Sequence, residues 1–309
     1  MAVYDIPRRP LGATGAMVSI LGVGGHAIGK MTSSREAMAL IQTAIDAGVN
    51  FMDNAWEYHK GTSEERMGRA LAGRRDQAFV MTKVCTHGRR KREAMRQLEQ
   101  SLRRLKTDYL DLWQIHECVY DNDPERHFAR GGVCEALEQA KRDGKVRFVG
   151  FTGHKRPEIH LAMLATNFPF DTCQLPLNCF DASFRSFERA VLPLLVSRGI
   201  AALGMKSLGG DARQVKKRVI TAEEGLRYAM SLPVATVISG MDSINVLRRN
   251  LRIASDFTPM TRRAMAALRR RVADDAADGR YELYKTTATH EGEIGRAQHG
   301  FPGEEELSA

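Results

Sequence analysis

The sequence lacks the features that mark disulfide-stabilised, zinc-binding and membrane-spanning proteins. It has only five cysteines, an odd number, and no two of them form a C-x-x-C pair. This spacing gives poor support for a disulfide framework or a zinc site. No apolar run approaches the ~18 residues of a transmembrane helix, and residues 1–10 contain no apolar signal-peptide core. We therefore expect no membrane partner and a cytoplasmic location.

The sequence also lacks a concentrated basic patch, although its net charge is +9, with 46 Lys and Arg against 37 Asp and Glu. A basic chain raises the question of a nucleic-acid partner. The densest run, Arg89–Arg92, directly precedes an amphipathic helical repeat and is typical of a solvated helix start. We therefore expect no nucleic-acid partner. Positive potential also suits a small anion, such as a phosphorylated cofactor.

The composition is that of an ordinary globular protein, with 43% hydrophobic and 27% charged residues. This excludes a disordered or fibrous chain. The length of 309 residues fits two domains of ~150 residues or one α/β barrel of ~250 residues with additions. No linker or internal repeat divides the chain. We predict a single domain over 1–309, with a barrel core at about 16–256 and a C-terminal extension over 257–309.

Short apolar runs alternate with amphipathic segments along most of the chain. The runs are continuously apolar, as expected of parallel strands that are buried on both faces. The eight predicted strands are 19–23, 50–53, 79–83, 109–116, 146–151, 171–175, 200–205 and 236–239. The eight predicted helices are 34–47, 63–71, 92–105, 133–142, 157–165, 187–198, 222–231 and 243–254.

Eight strands that alternate with eight helices predict an α/β fold of the (β/α)₈ barrel type. A doubly wound sheet is the main alternative. Against it, the glycine-rich segment 22–25 does not form G-x-G-x-x-G. Before the first barrel strand, 9–17 predicts a hairpin that plugs the barrel floor.

The residues after the last predicted barrel helix do not continue the alternation of strands and helices. An extra helix is predicted over 258–276, and the polar remainder, 277–309, is either an ordered flap or a solvated tail. Its three aromatic residues, Tyr281, Tyr284 and Phe301, are unusual in a purely solvated tail. They favour a flap, and we expect 279–301 to fold over the barrel mouth and help form the substrate pocket.

Ionisable residues stand at the carboxyl ends of three neighbouring predicted strands, where catalytic groups of such barrels lie. These residues are Asp53 and the nearby Tyr58, Lys83 and His116. Each alone has an ordinary structural explanation, such as a helix cap, a packed aromatic or a core histidine. Together they suit proton donation to an alkoxide. A lysine ammonium lowers the pKa of a phenol, an aspartate holds the lysine, and a histidine hydrogen-bonds a carbonyl oxygen.

Two longer segments carry a family resemblance. Residues 48–58 read G-V-N-F-M-D-N-A-W-E-Y, similar to the segment G-x-x-x-x-D-x-A-x-x-Y of the aldo-keto reductase superfamily. Residues 61–71 read G-T-S-E-E-R-M-G-R-A-L, similar to the family's G-x-S-E-x-x-L-G-x-A-L, and the family glycine after the tyrosine is His59 here. The sequence resembles this superfamily across roughly residues 8–275.

The resemblance implies a (β/α)₈ barrel that reduces aldehydes and ketones with NADPH and without a metal. Lys83, in T-K-V, and His116, in L-W-Q-I-H, match the family's other two catalytic positions. Tyr58 would then be the general acid, Lys83 its pKa partner, Asp53 the group that orients Lys83, and His116 the group that orients the substrate carbonyl.

The resemblance also implies a cofactor site. Thr152 and Gln174 would bind the nicotinamide carboxamide, and Met205 would cover the ring where the family often has a tyrosine. The pyrophosphate would lie on the backbone of the loop after Met205, and the adenosine end on the end of strand eight and Asn250. These two sets are Lys206, Ser207, Leu208 and Gly209, and Ser239, Gly240 and Met241.

The family's basic grip on a 2′-phosphate is missing, since Gly240, Met241 and Val246 stand where many members have Lys, Ser and Arg. Arg248 or Arg249 would supply charge instead if helix geometry turns them to the ligand. The helix N-terminus here also offers N–H groups to an anion. We expect NADPH, with NADH as the alternative.

The main hypothesis is therefore a carbonyl reductase that acts on a small-molecule substrate, as a monomer or small homo-oligomer. The alternative is a nucleotide-binding regulatory subunit resembling potassium-channel β subunits, which share this barrel. An iron–sulfur member of the superfamily is excluded because no cysteine follows Cys179. The sequence does not identify the natural substrate.

Overall fold

The structure is a computed structural model that describes residues 4–85, 90–303 and 306. Arg89, the first residue of the basic run, lies outside these residues. The strands of the described residues form one closed parallel barrel and one two-stranded antiparallel sheet. The (β/α)₈ prediction is confirmed, and the doubly wound alternative is wrong.

The strands are short, and those of the barrel are almost wholly buried. They are β1 (Arg8–Pro10), β2 (Met17–Ser19), β3 (Leu21–Gly24), β4 (Phe51–Asp53), β5 (Phe79–Val84), β6 (Leu110–Ile115), β7 (Val146–Thr152), β8 (Thr172–Pro176), β9 (Ala201–Met205) and β10 (Thr236–Gly240). In the barrel, β3 to β9 follow one another in chain order, and β10 closes the circle between β9 and β3. All eight barrel pairings are parallel, so the carboxyl ends of the strands share one mouth.

The helices surround the barrel, and the last four follow it. They are α1 (Gly25–Lys30), α2 (Ser34–Asp46), α3 (Thr62–Ala70), α4 (Lys91–Leu105), α5 (Asp123–Phe128), α6 (Val133–Arg142), α7 (Pro157–Ala165), α8 (Phe187–Ala190), α9 (Leu192–Ser197), α10 (Arg213–Lys216), α11 (Ala222–Ser231), α12 (Ile244–Ser255), α13 (Arg262–Arg271), α14 (Ala273–Ala276), α15 (Leu283–Thr286) and α16 (Glu293–Gln298). No helix of the described residues has the length and apolar character needed to cross a bilayer.

The hairpin of β1 and β2 closes the end of the barrel opposite the mouth. Leu11 and Val18, both fully buried, join the apolar cluster inside the barrel, which also contains Phe51 and Leu203. The backbone N–H of Ala13 donates to the carbonyl oxygen of residue 199, two residues before β9, at 3.0 Å. The predicted floor-plugging hairpin is confirmed.

Two predicted helices differ from the structure at prolines. The predicted helix over 187–198 is split into α8 and α9, because Pro193 has no N–H to donate and lies in the first turn of α9. The predicted helix over 258–276 begins only at Arg262. Pro259 disfavours helical geometry in the residue before it, and the Thr261 side chain then caps α13 by accepting from the N–H of Ala264 at 3.1 Å.

The segment after α14 is ordered and lies across the barrel mouth. Asn178, just after β8, donates its Nδ2 to Oε1 of Glu282 at 2.9 Å. The N–H of Gly292 donates to Oε2 of Glu117, just after β6, at 2.8 Å. We call residues 279–301 the tail segment. These contacts place it at the mouth, as the flap prediction expects, and its part in substrate binding is taken up under the proposed function.

A buried ion-pair cluster anchors the tail segment. Nζ of Lys285 lies 2.6 Å from Oδ1 of Asp181 and 2.9 Å from Oε2 of Glu282, and it donates to the carbonyl oxygen of Phe184 at 2.8 Å. The side chains of all three charged residues are 0–1% exposed. Breaking a buried pair by removing one partner leaves an uncompensated buried charge.

We therefore expect Lys285→Met to lower the free energy of unfolding by about 3–5 kcal/mol. Urea unfolding followed by circular dichroism measures this loss. Lys141→Met is the matched control, because Lys141 pairs with Asp171 at 3.1 Å while remaining 38% exposed. The control should lose no more than about 1 kcal/mol. Equal losses in the two variants would contradict the anchoring role of Lys285.

Candidate active site

The four predicted catalytic residues meet at the mouth because their strands are neighbours. Asp53 ends β4, Lys83 is the penultimate residue of β5, and His116 directly follows β6. Since β4, β5 and β6 are consecutive in the barrel, their carboxyl ends place these side chains side by side. Tyr58 begins the 3-10 turn Tyr58–Gly61, which returns the chain over the end of β4.

Lys83 is the centre of the cluster. Its Nζ lies 2.5 Å from Oδ1 of Asp53, 2.7 Å from the carbonyl oxygen of Asn54 and 3.5 Å from the phenol oxygen of Tyr58. Lys83 and Asp53 are buried, at 1% and 3% exposure. The carboxylate and the carbonyl oxygen hold the ammonium in one position. The distance from the ammonium to the phenol oxygen of Tyr58 is thereby fixed.

The environment of Tyr58 raises the pKa of its phenol well above the ordinary value. Burial is the main cause, and the negative charges of Asp53, Glu117 and Glu57 add to it. The lowering that a lysine ammonium exerts on the pKa of a phenol is outweighed here by desolvation of the phenolate, and the role of Lys83 as pKa partner stays a prediction. The phenol stays protonated at neutral pH, which is the form that donates a proton.

His116 is held by a carboxylate that the sequence analysis missed. Its Nδ1 lies 2.6 Å from Oε1 of Glu57, and its ring centroid is 5.5 Å from that of Tyr58, with the planes at 76°. Glu57 directly precedes Tyr58 in the chain. An acidic residue at this place in the recognised motif was the sequence signal that could have indicated a partner for His116. The contact fixes the imidazole beside the phenol.

Glu57, Cys85 and His116 bring three metal-ligating atoms within 4.8 Å of one another. The Cys85 thiol donates to Oε2 of Glu57 at 3.2 Å. Burial raises the pKa of Cys85 well above its usual value, and the charge of Glu57 raises it further. Cys85 is therefore held as a thiol that donates to the carboxylate of Glu57.

The predicted carboxamide-binding residues come together on the next three strands. Gln174 on β8 places its Nε2 3.6 Å from Sδ of Met205, at the end of β9, and Oγ1 of Thr152 lies 3.9 Å from the same sulfur. Oε1 of Gln174 is buried and has no hydrogen-bond partner among the described residues. An acceptor of this kind needs a donor, and the N–H₂ group of a nicotinamide carboxamide supplies one. The unpartnered acceptor on Gln174 therefore fits the expected cofactor.

The loop after β9, where the pyrophosphate is predicted to lie, forms a tight turn over residues 206–209. Lys206 and Gly209 have positive φ values of 54° and 68°, and the N–H of Gly209 donates to the carbonyl oxygen of Lys206 at 2.9 Å. Ser207 and Leu208 lie between them, with Ser207 buried and Leu208 packed on the core. Turns of this type direct successive N–H groups into one concavity.

The predicted adenosine end is only partly assembled as expected. Nδ2 of Asn250 donates to Oγ of Ser239 at 3.1 Å, and Gly240 ends the same strand. The side chain of Met241 is fully buried, so only its backbone is available to a ligand. Arg249 is exposed, and its Nε lies 3.5 Å from Oδ1 of Asn250. Arg249 is therefore a basic group at this end.

The tail segment closes over the cofactor loop and the catalytic cluster. A Cβ added at Gly209 would lie 3.0 Å from the carbonyl oxygen of Tyr281, and one at Gly292 would lie 2.6 Å from Oε2 of Glu57. Lys155 pairs with Glu291, which also accepts from the phenol of Tyr120 at 2.8 Å. The tail segment thus contacts both the predicted pyrophosphate loop and the partner of His116.

A profile of the aldo/keto reductase family matches residues 20–223 of the chain. In sequence, the chain is 29% identical over 296 residues to the uncharacterized oxidoreductase YqkF of Bacillus subtilis, covering 80% of this chain and 91% of that protein. The aldo-keto reductase YhdN of the same organism is 30% identical over 210 residues, covering 63% of this chain and 60% of that protein.

Solved structures show the same fold. The holo form of an aldo-keto reductase from Bacillus halodurans superposes with a TM-score of 0.72 at 24% identity, covering 86% of this chain and 96% of that chain. An aldo/keto reductase from Klebsiella pneumoniae, solved with NADP and acetate, superposes with a TM-score of 0.68 at 23% identity, covering 85% and 94%. At these identities the likeness concerns the barrel itself.

Proposed function

Because this chain belongs to the aldo/keto reductase family, and is thereby an oxidoreductase, we propose that it reduces an aldehyde or ketone to an alcohol with NADPH. The observation that supports this most directly is the Asp53–Lys83–Tyr58 arrangement. The Lys83 ammonium lies 2.5 Å from the buried carboxylate of Asp53 and 3.5 Å from the protonated phenol of Tyr58. Proton donation to a developing alkoxide needs such an arrangement.

Each catalytic residue has a distinct role in the proposed reaction. NADPH, when held by the predicted cofactor residues, would supply the hydride that the carbonyl carbon accepts. Tyr58 donates its phenol proton to the oxygen, and the Lys83 ammonium stabilises the phenolate that remains. Asp53 holds Lys83, and His116 hydrogen-bonds the carbonyl oxygen beside Tyr58. The alcohol leaves, and solvent returns a proton to Tyr58.

We propose NADPH as the cofactor and NADH as the alternative. The proposed carboxamide, pyrophosphate and adenosine sites are supported by the unpartnered acceptor on Gln174, the turn at 206–209 and the Asn250–Ser239 pair, respectively. The likeness to a family structure that holds NADP agrees with this assignment. The remaining assignments on Thr152, Met205, Gly240 and Met241 belong to the same proposal.

A nucleotide titration followed by a carbonyl panel tests the proposed function. NADPH should quench protein fluorescence with saturation, and the loaded enzyme should oxidise NADPH when a simple aromatic aldehyde is added. Saturable binding without turnover of any carbonyl would favour the nucleotide-binding regulatory subunit instead. Failure to bind either nucleotide would contradict the cofactor site.

We also propose that the protein works in the cytoplasm, without a nucleic-acid partner, as a monomer or small homo-oligomer. The single-domain division into a core over 16–256 and an extension over 257–309 is part of this proposal. Size-exclusion chromatography with light scattering measures the oligomeric state directly.

Truncation after Asp278 should change KM or kcat for bulky carbonyls while NADPH affinity is nearly retained. The truncation removes the tail segment, whose Gly292 contacts Glu57 and Glu117 beside the catalytic residues. Steady-state kinetics across small and bulky carbonyls, with fluorescence titration of NADPH, measure both quantities. Unchanged kinetics across the panel would show that the tail segment does not help to form the substrate pocket.

Gly292→Val separates this effect from a loss of folding. The substitution keeps the Lys285 anchor but places side-chain atoms against Glu57. The added Cβ alone would lie 2.6 Å from Oε2 of Glu57. We expect it to change the kinetics with bulky carbonyls in the same direction as the truncation does. Wild-type kinetics in Gly292→Val would show that this contact does not shape the pocket.

A further inference from the structure

Three side chains that can ligate a metal meet at the ends of neighbouring barrel strands. Glu57 lies in the loop after β4, Cys85 directly follows β5, and His116 directly follows β6. One ligand atom of each lies within 4.8 Å of the other two. No short sequence motif joins these residues, because the parallel pairing of the strands brings them together. The proposed reaction gives the thiol of Cys85 no role.

The carboxylate of Glu57 is the centre of this cluster. Its Oε1 lies 2.6 Å from Nδ1 of His116, and its Oε2 accepts from the thiol of Cys85 at 3.2 Å. Hydrogen atoms hold these contacts together, and a divalent cation can take their place, since metal ligands bind in their deprotonated forms and release their protons. The cluster would then offer one sulfur, one nitrogen and one oxygen.

This ligand set matches zinc in kind and in spacing. A zinc ion lies ~2.0–2.3 Å from sulfur, nitrogen and oxygen ligands, so a tetrahedral site separates its ligand atoms by about 3.3–3.8 Å. The three atoms here lie within 4.8 Å of one another, and small side-chain shifts would close the site. Three protein ligands leave the fourth position to water. A thiolate ligand also favours zinc over magnesium and calcium.

The charge around the cluster favours a cation. Burial is the main cause of the raised pKa of Cys85, and the negative charges of Glu57, Glu117 and Asp123 add to it. A position where negative charge is disfavoured in this way attracts a divalent ion, and the ion in turn stabilises the thiolate that binds it. The side chains of His116 and Glu57 are 7% and 11% exposed, so the cluster has some access to solvent.

We propose that Glu57, Cys85 and His116 bind one zinc ion and that the bound ion inhibits the enzyme. The contact between Glu57 and His116 holds the imidazole beside Tyr58. An ion that draws the same two ligand atoms to itself moves the imidazole from that position, and a displacement of ~1 Å in an active site can cost ~10²-fold in rate. The inhibition rests on the proposed carbonyl reduction, whereas the metal site does not.

Titration of the full chain with Co²⁺ and then Zn²⁺ tests the site without reference to activity. A thiolate ligand gives Co²⁺ a strong charge-transfer absorption, which should saturate at one ion per chain and disappear when Zn²⁺ displaces the cobalt. Cys85→Ser keeps a hydroxyl that can donate to Glu57 but removes the sulfur. It should lose this absorption and bind Zn²⁺ at least ~10²-fold more weakly, because even loss of an outer-shell partner costs ~10–100-fold.

Zinc should also slow the oxidation of NADPH by a simple aromatic aldehyde, by ~10²-fold at saturation, and EDTA should restore the rate. Cys85→Ser should keep most of its own metal-free rate at zinc concentrations that inhibit the wild type. Cys134→Ser is the matched control, because Cys134 is also a buried cysteine, on α6, and lies outside the three-residue cluster. It should bind Co²⁺ and be inhibited as the wild type is.

The two variants and the two readouts separate the possible failures. Fluorescence titration with NADPH checks that both variants are folded. Absence of the cobalt absorption in the wild type, an unchanged absorption in Cys85→Ser, or an equal loss in Cys134→Ser would each overturn the metal site. Zinc binding without inhibition would overturn the inhibitory role. No turnover by the metal-free wild type, despite NADPH binding, would instead contradict the proposed function, and the cobalt absorption would still report the site.

Discussion

Tyr58→Phe is expected to bind NADPH with wild-type affinity and to lose ~10²–10⁴-fold in kcat, the usual contribution of general acid catalysis. The substitution removes the proton donor and little volume. The phenyl ring keeps its edge contacts with His26 and His116, at 5.3 Å and 5.5 Å, so the walls of the site stay in place. Steady-state kinetics and a fluorescence titration of NADPH measure the two quantities separately.

Tyr109→Phe is the control for this experiment. Tyr109 directly precedes β6 and therefore lies at the opposite end of that strand from His116, where the guanidinium of Arg75 packs on its ring at 4.2 Å. The same hydroxyl is lost there without effect on a proton at the mouth, so kcat should be unchanged. If Tyr58→Phe also keeps its kcat, Tyr58 is not the general acid and a different residue protonates the alkoxide.

The barrel was predictable because the residues of each strand, taken alone, already indicate a buried strand. A strand buried on both faces must be continuously apolar, and each predicted barrel strand overlaps an observed one, with ends that differ by a few residues at most. The first predicted strand, 19–23, merges parts of β2 and β3, since apolar residues continue through the bend at Ile20. The short helices α1, α5, α10, α15 and α16 were missed because one or two turns give too little periodicity to detect.

The catalytic cluster was predictable for a related reason. Asp53, Lys83 and His116 lie at strand ends, and parallel pairing brings strand ends together without further information. The surroundings of the cluster depend on contacts that no local pattern encodes. Glu117 and Gly292 are 175 positions apart in sequence, and only the path of the tail segment joins them.

Lys83→Met should lose at least ~10²-fold in kcat, the usual loss when one preorganised donor to a developing anion is removed. Without the ammonium, the phenolate of Tyr58 has no cation 3.5 Å away. Burial already raises the pKa of Tyr58, and loss of the ammonium raises it again. The alkaline limb of the pH–rate profile for reduction, where Tyr58 loses its proton, should therefore move to higher pH.

Lys83→Met also leaves Asp53 buried without its partner, which should cost about 3–5 kcal/mol of stability, so instability alone could explain an inactive variant. The double variant Asp53→Asn/Lys83→Met removes both charges and separates the two effects. Its free energy of unfolding, measured in urea, should recover most of the loss. Its kcat should stay as low as that of Lys83→Met, because the phenolate still has no cation beside it. Recovery of wild-type turnover in the double variant would show that Lys83 serves only to neutralise Asp53 and does not assist Tyr58.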